Sequence, residues 1–156
     1  DWTIWSLGAR NERELPRHDA WFELHPLEHV ARDFGVYFEW LKTLQLVYMQ
    51  DAHPDVPGSV PYPKDAMVAR FGSQFFTSSI AWMLALAIAR LPPAIGVWGV
   101  DGATHDEYHR ERPGIVHFIE LARVLGIEVI IPEGCKLLQP GVLYGYETNL
   151  QVAVAA

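Results

Sequence analysis

The sequence contains one cysteine, Cys135, in 156 residues, so no internal disulfide can form and a reducing compartment is expected. It has no block of basic residues: 12 Lys and Arg stand against 19 Asp and Glu, and the net charge of −7 disfavours non-specific binding to nucleic acid. Its longest apolar run, residues 80–89, is far shorter than the roughly 20 residues that cross a bilayer. We therefore expect a cytoplasmic protein with neither a membrane nor a nucleic-acid partner.

The common nucleotide-binding and hydrolase motifs are absent too. The sequence has no G-x-G-x-x-G, no P-loop and no G-x-S-x-G, which weakens a standard dinucleotide or ATP interpretation. It starts at Asp1, directly before the strand-like WTIWSL, and ends within the apolar LQVAVAA. We therefore expect a single domain over 1–156 that lacks its N-terminal strand and a Gly-rich turn.

What the sequence does contain is a rich supply of core residues. Half of its residues are hydrophobic and 12% are aromatic, which excludes a disordered chain. Strand-length apolar runs alternate with helical stretches, as in a parallel sheet covered by helices. We predict a Rossmann-like three-layer α/β/α domain with one mostly parallel sheet of about five strands. The predicted strands are 2–7, 20–24, 46–49, 94–100 and 128–131. The predicted helical stretches are 27–44, with a break at Gly35, 64–71, 78–89 and 104–125, with Pro113 in its second part. The proline-rich segment 51–63 is predicted to be a loop.

Residues 75–101 form the most informative segment. The cluster Thr77, Ser78 and Ser79 precedes an apolar helix, and the free N–H groups and hydroxyls at such a start suit an anion. An ordinary N-cap explains the same residues. The apolar strand that follows ends at Asp101, and ligands of open α/β sheets bind beyond the carboxyl ends of strands.

The loop that follows this strand, DGATHDEYHRERPG, is dense in titratable groups, as a catalytic site requires. Tyr108, with Arg110 or Arg112, is predicted to close over a ligand, and an arginine would pair with phosphate. The alternative is a solvated, charged start of a helix.

A second candidate lies at the end of the predicted strand AWFEL. Glu23 and His25 are two residues apart, so they face the same side of that strand at its carboxyl end. His25 is therefore a candidate general base or ligand contact. The alternative is a histidine at a strand end that is held by backbone groups.

Two patterns resemble zinc motifs, and we predict that neither binds a catalytic metal. His105 and His109 are spaced as in H-E-x-x-H, but the second position is Asp106, which is shorter than the glutamate that motif needs. His25 and His29 fit H-x-x-E-H only with a proline inside the pattern and no evident third ligand. Cys135 has no activating neighbour in the sequence, so a structural thiol is expected.

With these residues in view, the chain resembles a family of uncharacterised phage and prophage proteins. The shared pieces are WTIWSL, AWFELH, the YP before a short helix, FGSQFFTSSIAWMLALAI, GVWGVD, EYHRERPG, FIELARVLGI, and IIPEGCKLL with LYGY, so they span nearly the whole chain. The resemblance implies a phage-encoded protein that resides in the cytoplasm of the host cell.

A more distant resemblance concerns the T-S-S helix and the strand that ends in G-x-D. This pair is similar to the T-S-G…G-x-D core of bacterial sialyltransferases and of pterin-diphosphokinase-like proteins, which are Rossmann-like and bind a nucleotide or pyrophosphate. The resemblance implies a nucleotide or phosphate at Ser78 and Ser79, with Asp101 beside it. Gly102 departs from the methionine that usually continues GVD in the family.

The favoured hypothesis is a protein that binds a nucleotide or phosphorylated small molecule, transferase-like if it is an enzyme, with a glycosyl- or diphospho-transfer reaction. The alternative is a non-catalytic phage structural or host-interaction protein that retains the fold. The sequence leaves open the cofactor and a homo-oligomeric state. The predicted catalytic residues are His25, Asp101 and Tyr108, and the predicted ligand-binding residues are Ser6, Asn11, Thr77, Ser78, Ser79, Arg110 and Arg112.

Overall fold

Short parallel strands alternate with helices in the computed structural model, which describes residues 1–8, 15, 17–100 and 107–138. The strands are β1 (Trp5–Leu7), β2 (Ala20–Glu23), β3 (Val47–Met49), β4 (Ser59–Pro61), β5 (Ala94–Gly96) and β6 (Glu128–Ile130). The helices are α1 (Leu27–Asp33), α2 (Gly35–Leu41), α3 (Lys64–Phe71), α4 (Ser79–Ala89) and α5 (Arg112–Val124), with a π-helical turn at Glu107–Glu111 and a 3-10 turn at Lys136–Leu138. Within these described residues, no helix has the length and apolarity to cross a bilayer.

The first four strands form one sheet in the order β1-β2-β3-β4, and every pair in it is parallel. Strand β2 is buried along its whole length because helices cover both faces of this sheet. Its alternating side chains divide between two apolar clusters. Trp21 packs with Tyr37 and Leu41 of α2 on one face. Phe22 packs with Met67 of α3 and Leu86 of α4 on the other.

The last two strands form a separate parallel pair, β5-β6, covered by α4 and α5. Helix α4 contributes to both parts of the molecule. Leu86 packs against the four-stranded sheet, whereas Ala85 and Ile88 pack with Ile95 of β5. The Rossmann-like α/β class with parallel strands is therefore confirmed.

The expected single sheet of five strands is wrong in one respect: β5 and β6 do not belong to the four-stranded sheet. Of the predicted strand 94–100, only Ala94–Gly96 forms a β-strand. The indole of Trp98 folds back onto Gly96, where an added Cβ would lie 1.8 Å from the ring. Gly99 then adopts a positive φ of 71°. These two features turn the chain away before a longer strand can form.

Strand β4 lies inside the proline-rich segment that was predicted to be a loop. Its position depends on Gly58, where a Cβ would lie 2.1 Å from the carbonyl oxygen of Leu44. The carbonyl oxygen of Gly58 in turn accepts a hydrogen bond from the backbone N–H of Val47. Pro61 is tolerated because β4 is an edge strand among the described strands, and on its outer side none of them requires the missing N–H.

The predicted helix boundaries are mostly confirmed. The stretch 27–44 is interrupted at Phe34, whose φ of −138° separates α1 from α2 directly before Gly35. Pro113 lies in the first turn of α5, where its missing N–H costs nothing. The π-helical turn directly before α5 was not predicted.

Candidate functional site

The carboxyl end of β2 holds a buried carboxylate. Glu23 is the last residue of the strand and is only 4% exposed. It follows Trp21 on the face that α2 covers, so its side chain points into the sheet–helix interface. An ionised carboxylate in such a place is costly unless several donors satisfy it.

Three hydrogen bonds satisfy Glu23. The hydroxyl of Tyr37 donates to Oε2 over 2.9 Å. The backbone N–H of His25 donates to Oε1 over 3.0 Å, and Nδ1 of His25 lies 2.6 Å from the same oxygen. Behind this group, Nε1 of Trp21 donates to the hydroxyl oxygen of Tyr37 over 2.7 Å. We call these four residues the β2-end relay.

The donors in the relay have a fixed direction. An indole N–H can only donate, so the oxygen of Tyr37 accepts from Trp21 and its own proton goes to Glu23. Glu23 therefore receives donors on both oxygens, as an ionised carboxylate does. A carboxylate oxygen can only accept, so a neutral His25 that bonds to Oε1 carries its proton on Nδ1, and its Nε2 lone pair is then an acceptor.

The imidazole of His25 is accessible, although its partner is buried. The His25 side chain is 71% exposed, against 4% for Glu23. A basic nitrogen held by a buried carboxylate and open to solvent is the arrangement that general-base catalysis needs. The structure thus gives His25 an orienting partner, which a histidine held only by backbone groups would lack.

Other contacts organise the same edge of the sheet. Nε2 of Gln50, after β3, donates to the carbonyl oxygen of Leu24 over 2.8 Å and so ties the ends of two strands together. Tyr62, after β4, donates its hydroxyl to the carbonyl oxygen of Trp82 in α4 over 2.8 Å. Burial raises the pKa of Tyr62, so this donor stays protonated at neutral pH. The start of α4 is thereby held at the carboxyl edge of the four-stranded sheet.

Ser78 begins α4 as an N-cap. Its Oγ accepts the backbone N–H of Ala81 over 3.2 Å, so the hydroxyl satisfies one free donor of the helix. In the part of the chain that the structure describes, the backbone N–H groups of Ser79 and Ile80 have no hydrogen-bond partner. These two donors and the positive end of the helix dipole favour an anion there.

Thr77 has a structural role at the contact between α4 and α5. Its Oγ1 donates to the carbonyl oxygen of Glu111 over 2.9 Å. Gly114 of α5 permits this approach, since a Cβ there would lie 2.1 Å from the carbonyl oxygen of Phe75 and 2.3 Å from Oγ1 of Thr77. The two helix starts therefore touch, with the Thr77 hydroxyl engaged between them.

The structure brings some of the predicted site residues to one edge. His25 and the Ser78–Ser79 start of α4 lie at the carboxyl edge of the same sheet, on opposite faces. Leu24 and Trp82, their respective neighbours, both pack against the cluster that contains Phe22.

The other predicted residues have different positions. Ser6 is buried in the middle of β1, not at its end. Arg110 is exposed in the π-helical turn, and Nε of Arg112 donates to the carbonyl oxygen of Leu137 over 2.9 Å. Asn11, Asp101 and the side chain of Tyr108 lie outside the described residues.

Sequence reasoning found His25 and Glu23 but missed Tyr37 and Trp21. Trp21 had a signal, because strand alternation puts it on the face of Glu23. Tyr37 lies 14 residues from Glu23, and its contact depends on how α2 packs on the sheet. A tyrosine on the buried face of an apolar helix is a weak signal, since its hydroxyl needs a partner when buried.

The described part of the chain contains no cluster of metal-ligating side chains. Over the described ranges, no group of three or more His, Cys, Asp and Glu side chains is placed to hold a metal ion. The thiol of Cys135 donates to the carbonyl oxygen of Val100 over 3.3 Å, which is a structural contact. His105 and Asp106 lie outside the described residues.

Comparison with known proteins does not supply a function. No protein-family model, no curated protein and no solved structure matches this chain.

Proposed function

We propose that this chain is a transferase-type enzyme domain that binds a nucleotide or another phosphorylated small molecule, with His25 as its general base. The observation that carries the proposal is the 2.6 Å contact between Nδ1 of the exposed His25 and Oε1 of the buried Glu23. A buried charge is weak evidence for stability, because apolar residues would fill the same space at least as well. A buried carboxylate that holds an exposed titratable side chain is more often found at functional sites.

The start of α4 supports the choice of ligand. Backbone N–H groups at Ser79 and Ile80 suit a phosphate, and the hydrogen bond from Tyr62 to Trp82 links this helix start to the carboxyl end of β4. The chain has a net charge of −7, so a local positive end of this kind is needed to hold an anion. The phosphate would then bind at α4, and the reacting hydroxyl would lie toward His25 on the other face of the sheet.

The proposed chemistry is a proton transfer coupled to group transfer. Nε2 of His25 takes the proton of an acceptor hydroxyl while that oxygen bonds to the transferred group. The bond from that group to the leaving phosphate breaks, and the electron pair stays on the phosphate oxygen at the start of α4. Glu23 stabilises the imidazolium that forms.

The first test is a ligand screen by thermal unfolding with nucleotides, nucleotide sugars and pyrophosphate compounds. A ligand at 100 times its Kd adds about 2.7 kcal/mol of stability, which corresponds to a rise in Tm of roughly 5–10 °C for a domain of this size. If no phosphorylated ligand raises the Tm at saturating concentration, the proposed ligand class is wrong.

The second test uses His25→Gln with any ligand that binds. We expect the variant to keep most of the Tm shift and to lose turnover by about 10²–10⁴-fold, as for a missing general base. His53→Gln is the control, because the Nδ1 of His53 accepts from the backbone N–H of Asp55 rather than pairing with a buried carboxylate. Unchanged turnover in His25→Gln would exclude His25 as the base.

One observation favours a binding module without catalysis. Trp2 is 50% exposed and Trp98 is 60% exposed, and their rings meet edge to face with centroids 6.4 Å apart. Exposed aromatic pairs are typical of recognition surfaces. If the chain is the proposed enzyme, the double variant Trp2→Ala, Trp98→Ala should have the turnover of the wild type. If it is a binding module, neither protein should show turnover, and the double variant should no longer bind the macromolecular partner of the wild type.

A further inference from the structure

Tyr37 has a hydroxyl that packing alone does not explain. We infer that Tyr37 is a positioning residue for His25: its hydrogen bond holds the Glu23 carboxylate in the orientation that directs Oε1 at the imidazole. In this way it holds the neutral His25 as the Nδ1–H tautomer, with Nε2 available to a ligand. The inference rests on the proposed function, because it names the device that would prepare His25 as a base.

The first support is the geometry around Glu23. The carboxylate has two oxygens, and each has a separate donor set: Tyr37 at Oε2, and His25 at Oε1. Rotation of the carboxylate would break contacts on both sides. The Tyr37 donor therefore fixes the direction in which Oε1 points.

The second support is how firmly Tyr37 itself is held. Its side chain is 3% exposed, and its ring stacks on Trp40 at 5.9 Å with an interplanar angle of 23°. Its oxygen accepts from Trp21, so the proton has a defined direction toward Glu23. A phenylalanine would fill nearly the same space, so the packing of the ring does not require the hydroxyl group.

The third support concerns the titratable groups in this part of the molecule. Glu23 from β2 faces His25 from the loop after β2 and Tyr37 from α2. His18 packs edge-on against Trp21 at 5.3 Å and lies 5.6 Å from Trp40, on the aromatic side of the relay. No Lys or Arg side chain is among the described groups that contact Glu23, so the donors that its carboxylate accepts from are those of Tyr37 and His25.

Loss of the Tyr37 hydroxyl has a specific consequence. Oε2 of Glu23 would be left without that donor in a buried place, and the carboxyl would rotate or take up a proton. Either change weakens the acceptor for Nδ1–H of His25. The imidazole would then shift toward the Nε2–H tautomer, in which the exposed nitrogen is no longer a base.

The test is a measurement of the His25 tautomer by two-bond ¹H–¹⁵N correlation on the full chain labelled with ¹⁵N-histidine, without ligand. The seven histidines are resolved by comparison with His25→Gln. In the wild type, we expect Nδ1 to carry the proton of the neutral imidazole. In Tyr37→Phe we expect the ratio of Nε2–H to Nδ1–H to rise by up to about tenfold, the scale set by one hydrogen bond to a charged group.

Tyr48→Phe is the matched control. Tyr48 lies in β3 on the opposite face of the same sheet, where its hydroxyl accepts from Nη2 of Arg90 over 2.8 Å. This variant also removes a tyrosine hydroxyl, and it should leave the His25 tautomer unchanged. If Tyr37 had only a structural role, Tyr37→Phe and Tyr48→Phe would both lower the stability, and neither would change the His25 tautomer.

Two results would overturn the inference. One is a wild-type protein in which neutral His25 is mainly the Nε2–H tautomer. This measurement does not depend on whether any variant folds. The other is a folded Tyr37→Phe with the wild-type tautomer ratio. Because both are read without substrate, they stay separate from the failure of the proposed function, which would show as absent ligand binding or unchanged turnover in His25→Gln.

Discussion

The four-stranded sheet and the two-stranded sheet bury different kinds of residue. Around β5, β6 and α5 the buried cluster is entirely aliphatic or aromatic in the residues described, with Phe118, Ile115 and Ile88 at 2% exposure or less. Around β1 to β4 the core also contains Ser6 and Glu23, the two buried polar residues of the described chain. Both parts contain parallel strands under helices, so the difference lies in composition and not in architecture.

This difference indicates separate roles for the two parts. An apolar cluster gains free energy with each group that leaves water. A buried carboxylate must first recover its lost hydration from protein donors, so its net contribution to stability is small. Glu23 is thus explained better by the exposed imidazole that it orients than by the stability of the sheet. Helix α4 packs in the clusters of both parts and so links them.

The largest effect is expected for Phe118→Ala, which removes a fully buried ring from the two-stranded part. The free energy of unfolding should fall by about 3–5 kcal/mol, because the cavity loses both transfer free energy and contacts. Urea unfolding measures the change, and Val124→Ala at an 82% exposed position of the same helix is the control, with an expected change within about 0.5 kcal/mol. A loss below 1 kcal/mol for Phe118→Ala would contradict the assigned core.

Glu23→Gln should have a smaller effect on stability and a larger one on the site. The amide keeps the size of the side chain but replaces one acceptor oxygen with a donor, so either Tyr37 or His25 faces the wrong group. We expect a loss of about 1–3 kcal/mol in urea unfolding, together with a changed His25 tautomer. Phe118→Ala, by comparison, should leave that tautomer as in the wild type. If both variants changed it equally, the distinction between the two parts would be wrong.

Ser78→Ala tests the helix start that the two parts share. Removal of the N-cap oxygen should cost about 1 kcal/mol, since the N–H of Ala81 loses its acceptor. Ser78→Gly should recover most of this loss, because glycine is a good N-cap residue. Ser73→Ala, at an exposed position outside any helix, is the control. A Ser78→Ala variant as stable as the wild type would show that the cap does not hold α4.

The sequence was sufficient for features that depend on neighbours along the chain. The apolar run of β2, the break near Gly35 and the placement of Glu23 and His25 on one side of the strand were all predicted from the local residue pattern. Strand β4 was missed because Pro61 and its neighbours indicate a loop, while its strand pairing depends on the close approach of Gly58 to Leu44.

Features that depend on packing between distant segments could not be predicted in this way. The early end of β5 coincides with the fold-back of Trp98 and the turn at Gly99, and its pairing with β6 joins segments more than 30 residues apart. The contact of Tyr37 with Glu23 requires the observed position of α2 on the sheet, for which periodicity gives only the buried face. The candidate base was therefore readable from the sequence, but the tyrosine that positions it was not.

The smallest effect is expected at Asp19, which fastens the start of β1 to the start of β2. The backbone N–H of Ile4, supported by Arg17, lowers the pKa of Asp19 below its usual 3.8. A carboxyl with a lowered folded-state pKa stabilises the fold above the usual value, and this contribution is lost as the pH falls through the folded-state pKa. Wild type should therefore exceed Asp19→Asn in stability at neutral pH, and the difference should shrink below pH 3.8.

Asp33→Asn makes this test specific to the link between the strands. The side chain of Arg32 lowers the pKa of Asp33, but this partner is the adjacent residue and stays near in the unfolded chain. Since linkage depends on the difference between folded and unfolded states, its pH-dependent loss should be smaller than that of Asp19→Asn. Urea unfolding of both variants from neutral pH to below 3.8 gives the comparison. If the stability of both variants changed equally with pH, Asp19, like Asp33, would make only a local contact. The starts of β1 and β2 would then not depend on the hydrogen bond between Asp19 and Ile4.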